Sequence, residues 1–353
     1  MGTGRNTRTI EWLGDAVRLI DQTRLPRELV HKETRDYRDI AESIRRLEVR
    51  GAPAIGIAAA MGIALAALEH KALGLSRFRT EVASAAGLLN STRPTAVNLG
   101  WAVARMLEVL RDPALGDPGE AVRRLTAEAL AICEEDRELS RRIGEHGASL
   151  IDDGDGVLTH CNAGGLATAE YGTALAVIFA AVEQGKKIRA FADETRPLLQ
   201  GARLTTWEFL QKGIDVTLLC DSAAASAMAR GWVTKVVVGA DRIARNGDVA
   251  NKVGTFPLAL AAREHGVPFY VAAPFTTLDA SLGSGALIPI EERDASEVTD
   301  IQGVRVAPRE VSVYNPSFDV TPSRLVTAII TDAGIFAAPY EETLFRDRRG
   351  LEA

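Results

Sequence analysis

The sequence predicts an α/β protein in two parts: an N-terminal mainly helical domain with a small antiparallel sheet, and a C-terminal domain built on a doubly wound parallel sheet. Three observations predict it. At 353 residues the chain is long for a single hydrophobic core. As far as residue 148 apolar residues recur with helical spacing, after one initial hairpin pattern. From Gly154 onward, short continuous apolar runs alternate with helical patterns. That is the grammar of strands buried on both faces and joined by crossover helices. The domains are therefore placed at 1–148 and 149–353.

In the first part, apolar residues at 9–13 and 16–20 flank Gly14 and Asp15, a two-residue turn signal that predicts a hairpin. Ile40, Ile44 and Leu47 share one helical face. The stretch GAPAIGIAAAMGIALAAL at 51–68 carries no charge and reaches the lower length of a membrane span. Its alanine and glycine content, Pro53 near its start and the lack of a second such stretch make it a helix buried in a core or a subunit interface. Further helices are predicted at 76–90, 94–110 and 118–148, with Asp112-Pro113 and Gly116-Asp117-Pro118 as breaks.

In the second part, strands are predicted at 156–160, 187–192, 214–219, 235–239 and 268–273. Helices are predicted at 165–184, 203–212, 222–230 and 255–265. A last helix at 323–333 is announced by DVTP at 319–322.

Composition excludes several function classes. Hydrophobic residues make up 46% and charged residues 25%, with a net charge of −6. Such a chain lacks the basic footprint of a nucleic-acid binder, so an anionic ligand must be met by a few local arginines or lysines. The three cysteines, Cys133, Cys161 and Cys220, show no paired spacing and no histidine partners, which argues against a disulfide framework or a zinc site and fits a reducing cytoplasm. The N-terminal residues carry positive charge without an apolar run behind it, unlike a secretory signal. No GxxxxGK[ST] loop is present, and CNAGGLAT after the first parallel strand lacks GxGxxG, although Asp193 ends the next strand as a ribose-binding acid would. The five histidines are scattered, and His160 is expected on the opposite side of its strand from Cys161.

Two strand ends carry reactive residues. VLTH at 157–160 runs into Cys161, and VVVGA at 236–240 runs into Asp241. Ligands of open α/β sheets bind beyond the carboxyl ends of the strands, so a thiol and a carboxylate there suit proton transfer. Cys161 precedes a Gly-Gly helix entrance, where the helix dipole favours a thiolate; a small buried hydrophobe is the alternative. Asp241 follows an apolar run that favours a protonated carboxyl; capping the following turn, or pairing with Arg242, is the alternative. Two helix starts place an arginine just before a proline, at Arg50-Gly51-Ala52-Pro53 and at Arg93-Pro94. Free N–H groups at such starts attract phosphate, and a guanidinium strengthens the contact. Ordinary capping beside a surface arginine is the alternative. Lys252, after Asn251, is a third cationic candidate.

With these residues in place, the chain resembles the methylthioribose-1-phosphate isomerase family over roughly residues 10–340. The resemblance rests on RGAPAIG at 50–56, STRPTAVNL at 91–99, LTHCNAGGLAT at 158–168, DETRPLLQGARLTTWEFL at 193–210 and GADRIARNGDVANKVGT at 239–255. Phe209 is a conservative departure from the family pattern. The resemblance implies that Cys161 and Asp241 are the catalytic pair. It implies that Arg50, Gly51, Ala52, Arg93, Gln200, Asn251 and Lys252 bind a sugar phosphate. A Rossmann-like C-terminal domain, a homodimer, no metal or nucleotide cofactor, and no nucleic-acid or membrane partner are implied as well. Relatives of the same fold act on ribose 1,5-bisphosphate or 5-deoxyribose 1-phosphate, or are non-catalytic regulatory subunits of the translation-initiation exchange factor. The first would need a second phosphate site, for which no cationic group is assigned. The last would be expected to lack the intact set of Cys161, Asp241, Gln200, Asn251 and Lys252.

Overall fold

The computed structural model describes residues 8–93 and 96–344. The charged N-terminal residues 1–7, and Pro94 with Thr95 at a predicted helix start, lie outside the described residues. The chain forms two compact units. One holds residues 8–141 together with Gly164–Gly172, and the other Arg142–Ala163 with 173–344.

The first unit opens with the antiparallel strands β1 (Ile10–Trp12), β2 (Val17–Ile20) and β3 (His31–Thr34), in that order. The predicted hairpin is β1–β2, closed by the Leu13 N–H donating to the Ala16 carbonyl at 2.8 Å. Strand β3 was not predicted, because HKET has no apolar alternation and lies at the edge of the sheet. Five helices follow: α1 (Tyr37–Arg45), α2 (Ala52–His70), α3 (Leu75–Asn90), α4 (Val97–Arg111) and α5 (Pro118–Ala148), of which the residues from Arg142 are counted with the second unit. Asp36 starts α1 by accepting the Arg38 N–H. Leu47 does not share that helical face: it lies beyond the end of α1 with a φ of 60°. Residues 54–67 of α2 are buried without a gap, so the stretch long enough for a membrane is the core helix of this unit. Phe78, Val82 and Leu89 of α3 and Leu99 and Met106 of α4 complete the same core. Each such large side chain contributes about 1.5–3 kcal/mol of burial. Among the described residues helix α4 begins at Val97, after an extended Ala96.

The second unit carries β4 (Gly156–Thr159), α6 (Ala174–Glu183), β5 (Arg189–Asp193), α7 (Thr206–Gln211), β6 (Val216–Leu219), α8 (Ala224–Ala229) and β7 (Lys235–Val238). There follow β8 (Arg242–Ala244), β9 (Val249–Lys252), α9 (Thr255–Glu264), β10 (Phe269–Ala272) and β11 (Leu278–Asp279). A two-strand ladder, β12 (Asp300–Ile301) with β13 (Val304–Arg305), precedes β14 (Phe318–Thr321), β15 (Ala328–Thr331) and β16 (Gly334–Phe336). The main sheet has the order β16-β15-β10-β7-β4-β5-β6 and is parallel apart from the edge strand β16. From β4 the chain builds outward through β5 and β6, then returns to β7 on the other side. The boundary between β4 and β7 is thus the switch point of a doubly wound sheet, where such folds bind ligands. A second sheet, β11-β8-β9-β14, was not anticipated.

Two predicted helices are corrected. The one expected from 165 begins at Ala174, with only a short 3-10 turn at Gly165–Ala167. The intervening GGLATAEYG segment belongs to the first unit, where tertiary bonds hold it. Thr9 Oγ1 donates to the Gly165 carbonyl at 2.6 Å, Gln22 Nε2 to the Leu166 carbonyl at 2.8 Å, and the Ala169 N–H to Asp136 Oδ2 at 2.7 Å. The helix expected at 323–333 is instead a single 3-10 turn followed by β15, which pairs in parallel with β10 and is buried at every position. Its β-branched Ile329, Ile330 and Thr331 suit a strand covered on both faces.

Candidate active site

Strands β4 and β7 run side by side with Leu158 opposite Val236. Cys161 lies just beyond β4 and Asp241 just beyond β7, so both stand at the carboxyl side of the switch point. The two strand ends adjoin closely: a Cβ on Gly239 would fall 2.8 Å from the Ala163 Cβ.

At Cys161 the backbone turns. Thr159, His160 and Asn162 are 0%, 1% and 4% exposed, whereas Cys161 between them is only partly buried. Its φ is 66°, the left-handed region that a side chain rarely occupies. The Cys161 N–H donates to Thr195 Oγ1 at 2.8 Å, and Thr205 Oγ1 donates to the Cys161 carbonyl at 2.6 Å. Because helix α6 starts only at Ala174, the predicted helix-dipole environment for this thiol is replaced by a strained turn held by hydroxyls. The other two cysteines differ: burial pushes the Cys133 thiol up to about 11, and Cys220 is exposed beside Ser222.

His160 is enclosed on the far side of the turn. Its Nδ1 lies 3.0 Å from Asp193 Oδ2 and its Nε2 2.9 Å from the Val253 carbonyl. A carbonyl can only accept, so Nε2 carries a proton. Burial works to lower the histidine pKa, but the hydrogen bond and charge of Asp193 with the Val253 carbonyl outweigh it, and the net direction is upward. Burial raises the Asp193 carboxyl against the opposing pull of His160. His160, Asp193 and Asp221 form the one metal-like grouping among the described residues. Both His160 nitrogens are engaged, and the two Asp221 oxygens accept the Thr195 and Arg196 N–H groups at 2.7 Å each. A cation there would have to displace those bonds.

The Asp241 N–H donates to the Ala250 carbonyl at 2.9 Å, which ties its loop to β9 beside Asn251. Arg242 pairs with Asp279 at 3.4 Å. Asn251 is buried and donates from Nδ2 to Thr255 Oγ1 at 3.0 Å. Lys252 Nζ donates to the Ser317 carbonyl at 2.8 Å and stands 4.5 Å from the centre of the Phe318 ring. Gln200 precedes the π-helical turn Gly201–Thr205 that leads into α7. It is 5% exposed, and its Oε1 is buried without a hydrogen-bond partner among the described residues. Such an acceptor calls for a donor from outside the protein.

Cys161, Gln200, Asp241, Asn251 and Lys252 all belong to the second unit, in the segments that follow β4, β5 and β7. Arg50, Gly51, Ala52 and Arg93 belong to the first. There Arg50 Nε donates to Gln22 Oε1 at 3.1 Å, and Gly51 precedes α2 with a φ of 95°. A Cβ on Gly51 would lie 2.5 Å from the Ala167 Cα. The first turn of α2 has no side-chain cap and no acidic residue, which leaves its N–H groups suited to an anion. Sequence reasoning missed Thr195, Thr205 and Asp221 as residues that shape this site. Thr195 and Thr205 lie within the 193–210 motif, so the signal was present but read only for Gln200.

The Initiation factor 2 subunit family matches this chain over residues 48–338. The methylthioribose-1-phosphate isomerase of Pelotomaculum thermopropionicum is 56% identical, over 97% of this chain and 94% of the relative. The 5-deoxyribose 1-phosphate isomerase of Moorella thermoacetica is 54% identical, over 95% of each chain. Among solved structures, the 5-methylthioribose 1-phosphate isomerase of Pyrococcus horikoshii OT3 superposes with a TM-score of 0.92 at 44% identity, covering 98% of this chain and 96% of the other. The A. fulgidus protein described as translation initiation factor eIF-2B, subunit delta, superposes with a TM-score of 0.87 at 47% identity, covering 96% of this chain and 98% of the other.

Proposed function

This chain belongs to the Initiation factor 2 subunit family and, within it, to the methylthioribose-1-phosphate isomerases, and on that premise we propose that it converts 5-methylthioribose 1-phosphate to 5-methylthioribulose 1-phosphate in methionine salvage. The observation that carries the reading is the pair Cys161 and Asp241 at adjoining strand ends of the switch point.

The substrate dictates what the site must do. Phosphate esterifies the anomeric oxygen, so the sugar ring cannot open unaided as a free aldose does. Asp241 supplies a proton to the ring oxygen as the bond from C1 to that oxygen breaks. Cys161, as thiolate, takes the proton from C2 and leaves a phosphoenol spanning C1 and C2. The thiol returns that proton to C1, the C2 hydroxyl gives its proton back to Asp241, and both groups are reset. In the alternative route hydrogen passes directly from C2 to C1 and Cys161 only steadies charge. Either route gains from a low-dielectric setting. Gln200 offers its unfilled acceptor to a sugar hydroxyl, with Asn251 and Lys252 alongside. Arg50, Gly51, Ala52 and Arg93 are the proposed phosphate contacts carried by the first unit.

The same reading takes residues 149–353 as the catalytic domain and 1–148 as its partner domain, in a cytoplasmic homodimer. A second substrate, 5-deoxyribose 1-phosphate, is favoured by the relative that carries that name. It differs from the first only at the apolar C5 end. The test is relative kcat/KM on 5-methylthioribose 1-phosphate, 5-deoxyribose 1-phosphate and ribose 1,5-bisphosphate. Preference for the first is expected, and no turnover of any of the three would overturn the isomerase reading.

A further inference from the structure

We infer that Thr195 and Thr205 are positioning residues for the reaction: their two hydroxyls clamp the peptide groups on either side of Cys161 and so hold its thiol in a left-handed turn. The inference rests on the reading of Cys161 as a reacting or charge-steadying group. A strand that ended normally at β4 would leave residue 161 buried like its neighbours, since Thr159, His160 and Asn162 are at most 4% exposed. The φ of 66° at Cys161 breaks that continuity and leaves it partly exposed between buried neighbours. A left-handed conformation at a residue with a Cβ is unfavourable and persists only where its surroundings over-determine it.

Two hydroxyls over-determine it. Thr195 Oγ1 accepts the Cys161 N–H at 2.8 Å and donates to the Asp193 carbonyl at 3.1 Å. Thr205 Oγ1 donates to the Cys161 carbonyl at 2.6 Å and accepts from Asn162 Nδ2 at 3.1 Å. Each threonine is itself fixed. Thr195 has a φ of 64° and gives its own N–H to Asp221 Oδ1 at 2.7 Å. Thr205 closes the π-helical turn Gly201–Thr205, a geometry concentrated at functional sites. Asn162 is held in turn by Glu208 Oε1 at 2.7 Å. Both threonines are 0% exposed, so water cannot replace either hydroxyl. Neither threonine is asked to touch substrate. They act through the cysteine, as the supporting bonds of a strained strand-to-loop nucleophile turn do.

The test replaces each hydroxyl with a methyl group of the same shape, in Thr205→Val and Thr195→Val, with Thr205→Ser and Thr195→Ser as conservative partners. Turnover of 5-methylthioribose 1-phosphate and the pH profile of Cys161 alkylation by iodoacetamide are measured on each. The valine variants are expected to lose about 10- to 100-fold in kcat, as for a reacting group displaced by an ångström or less. Their KM should stay within about twofold, and their alkylation profiles should shift, because bonds to the peptides flanking Cys161 are lost. The serine variants should recover to within about threefold, since serine keeps the hydroxyl. Valine variants with wild-type kcat and alkylation would overturn the inference, as would serine variants as impaired as the valine ones. If a valine variant does not fold, the comparison of Thr205→Ala with Thr205→Ser, read in the same two ways, decides. Cys161→Ser separates the two levels of the argument. If it keeps full turnover, the role of Cys161 itself is wrong. If it is inactive while the valine variants are unimpaired, only the clamp is wrong.

Discussion

Gly51 and Cys161 both turn the backbone through the left-handed region, at φ values of 95° and 66°, and they do so by opposite means. At Gly51 the chain must enter α2 against the Ala167 backbone, and any side chain would collide there. Glycine meets that demand without steric strain. At Cys161 the same kind of turn carries a side chain, and the fold supplies two threonine hydroxyls to hold it. Where only the path of the chain matters, this protein uses glycine. Where a thiol is needed, strain is accepted and hydrogen bonds offset it.

The largest effect that would sharpen this contrast is on chemistry. Cys161→Ser and Asp241→Asn are each expected to lower kcat by about 10²–10⁴-fold, the range for removing a group that moves a proton. Thermal melting should be nearly unchanged, because neither substitution alters a core residue. Near wild-type kcat in either variant would show that the strained turn, or its neighbouring strand end, serves the fold alone.

The converse holds at the glycine. Gly51→Ala places a Cβ 2.5 Å from the Ala167 Cα and 2.6 Å from its carbonyl oxygen, at a φ that alanine disfavours. Backbone cannot yield as a flexible side chain would, so about 3 kcal/mol or more of stability should be lost. Chemical denaturation measures it. A change under about 1 kcal/mol would mean that the close approach to Ala167 relaxes easily.

The loop after Cys161 also has a charged fixing point. Asp136 accepts the Ala169 N–H at 2.7 Å, and burial raises its carboxyl to about 7 in spite of that bond. In the unfolded chain the same group ionises near its ordinary value, about 3.9. Between those two values the folded state holds the proton that the unfolded state has lost, so stability falls as pH rises through this window. Asp136→Asn keeps an acceptor for Ala169 without the buried charge. Its melting temperature should exceed that of the wild type at pH 8, by an amount corresponding to at most about 4 kcal/mol, and the gap should close towards pH 4. An equal gap at both pH values would show that ionisation of Asp136 is not the cause.

Much of this was legible in the sequence, and what was not has physical reasons. The parallel strands β4, β5, β7 and β10 are short unbroken apolar runs, and a strand buried on both faces announces itself that way. The β15 segment misled because Leu325, Val326, Ile329 and Ile330 fall at spacings that a helix would also bury, and only pairing with β10 settles the matter. Strands β8 and β9 carry Arg242, Asn251 and Lys252, so their polar side chains hide the alternation of a sheet. The placement of Cys161 and Asp241 at strand ends followed from local pattern. The hydroxyls that hold Cys161 did not, because Thr195 and Thr205 lie 34 and 44 residues away and their role exists only after β5 and the π-helical turn have packed beside β4.

The smallest effect bears most directly on the comparison, since it asks whether Cys161 is strained at all. With the thiol removed in both cases, Cys161→Gly and Cys161→Ala differ chiefly in their tolerance of a φ of 66°. Glycine should give the more stable protein, by about 0.5–1 kcal/mol, since relief of the left-handed strain exceeds the extra freedom glycine brings to the unfolded chain. At an ordinary strand position the order reverses, and alanine is favoured by a similar amount. The sign of the difference in denaturation midpoint is therefore enough. Alanine more stable than glycine would mean that the turn at 161 costs nothing to hold, leaving the two threonine bonds with no strain to oppose.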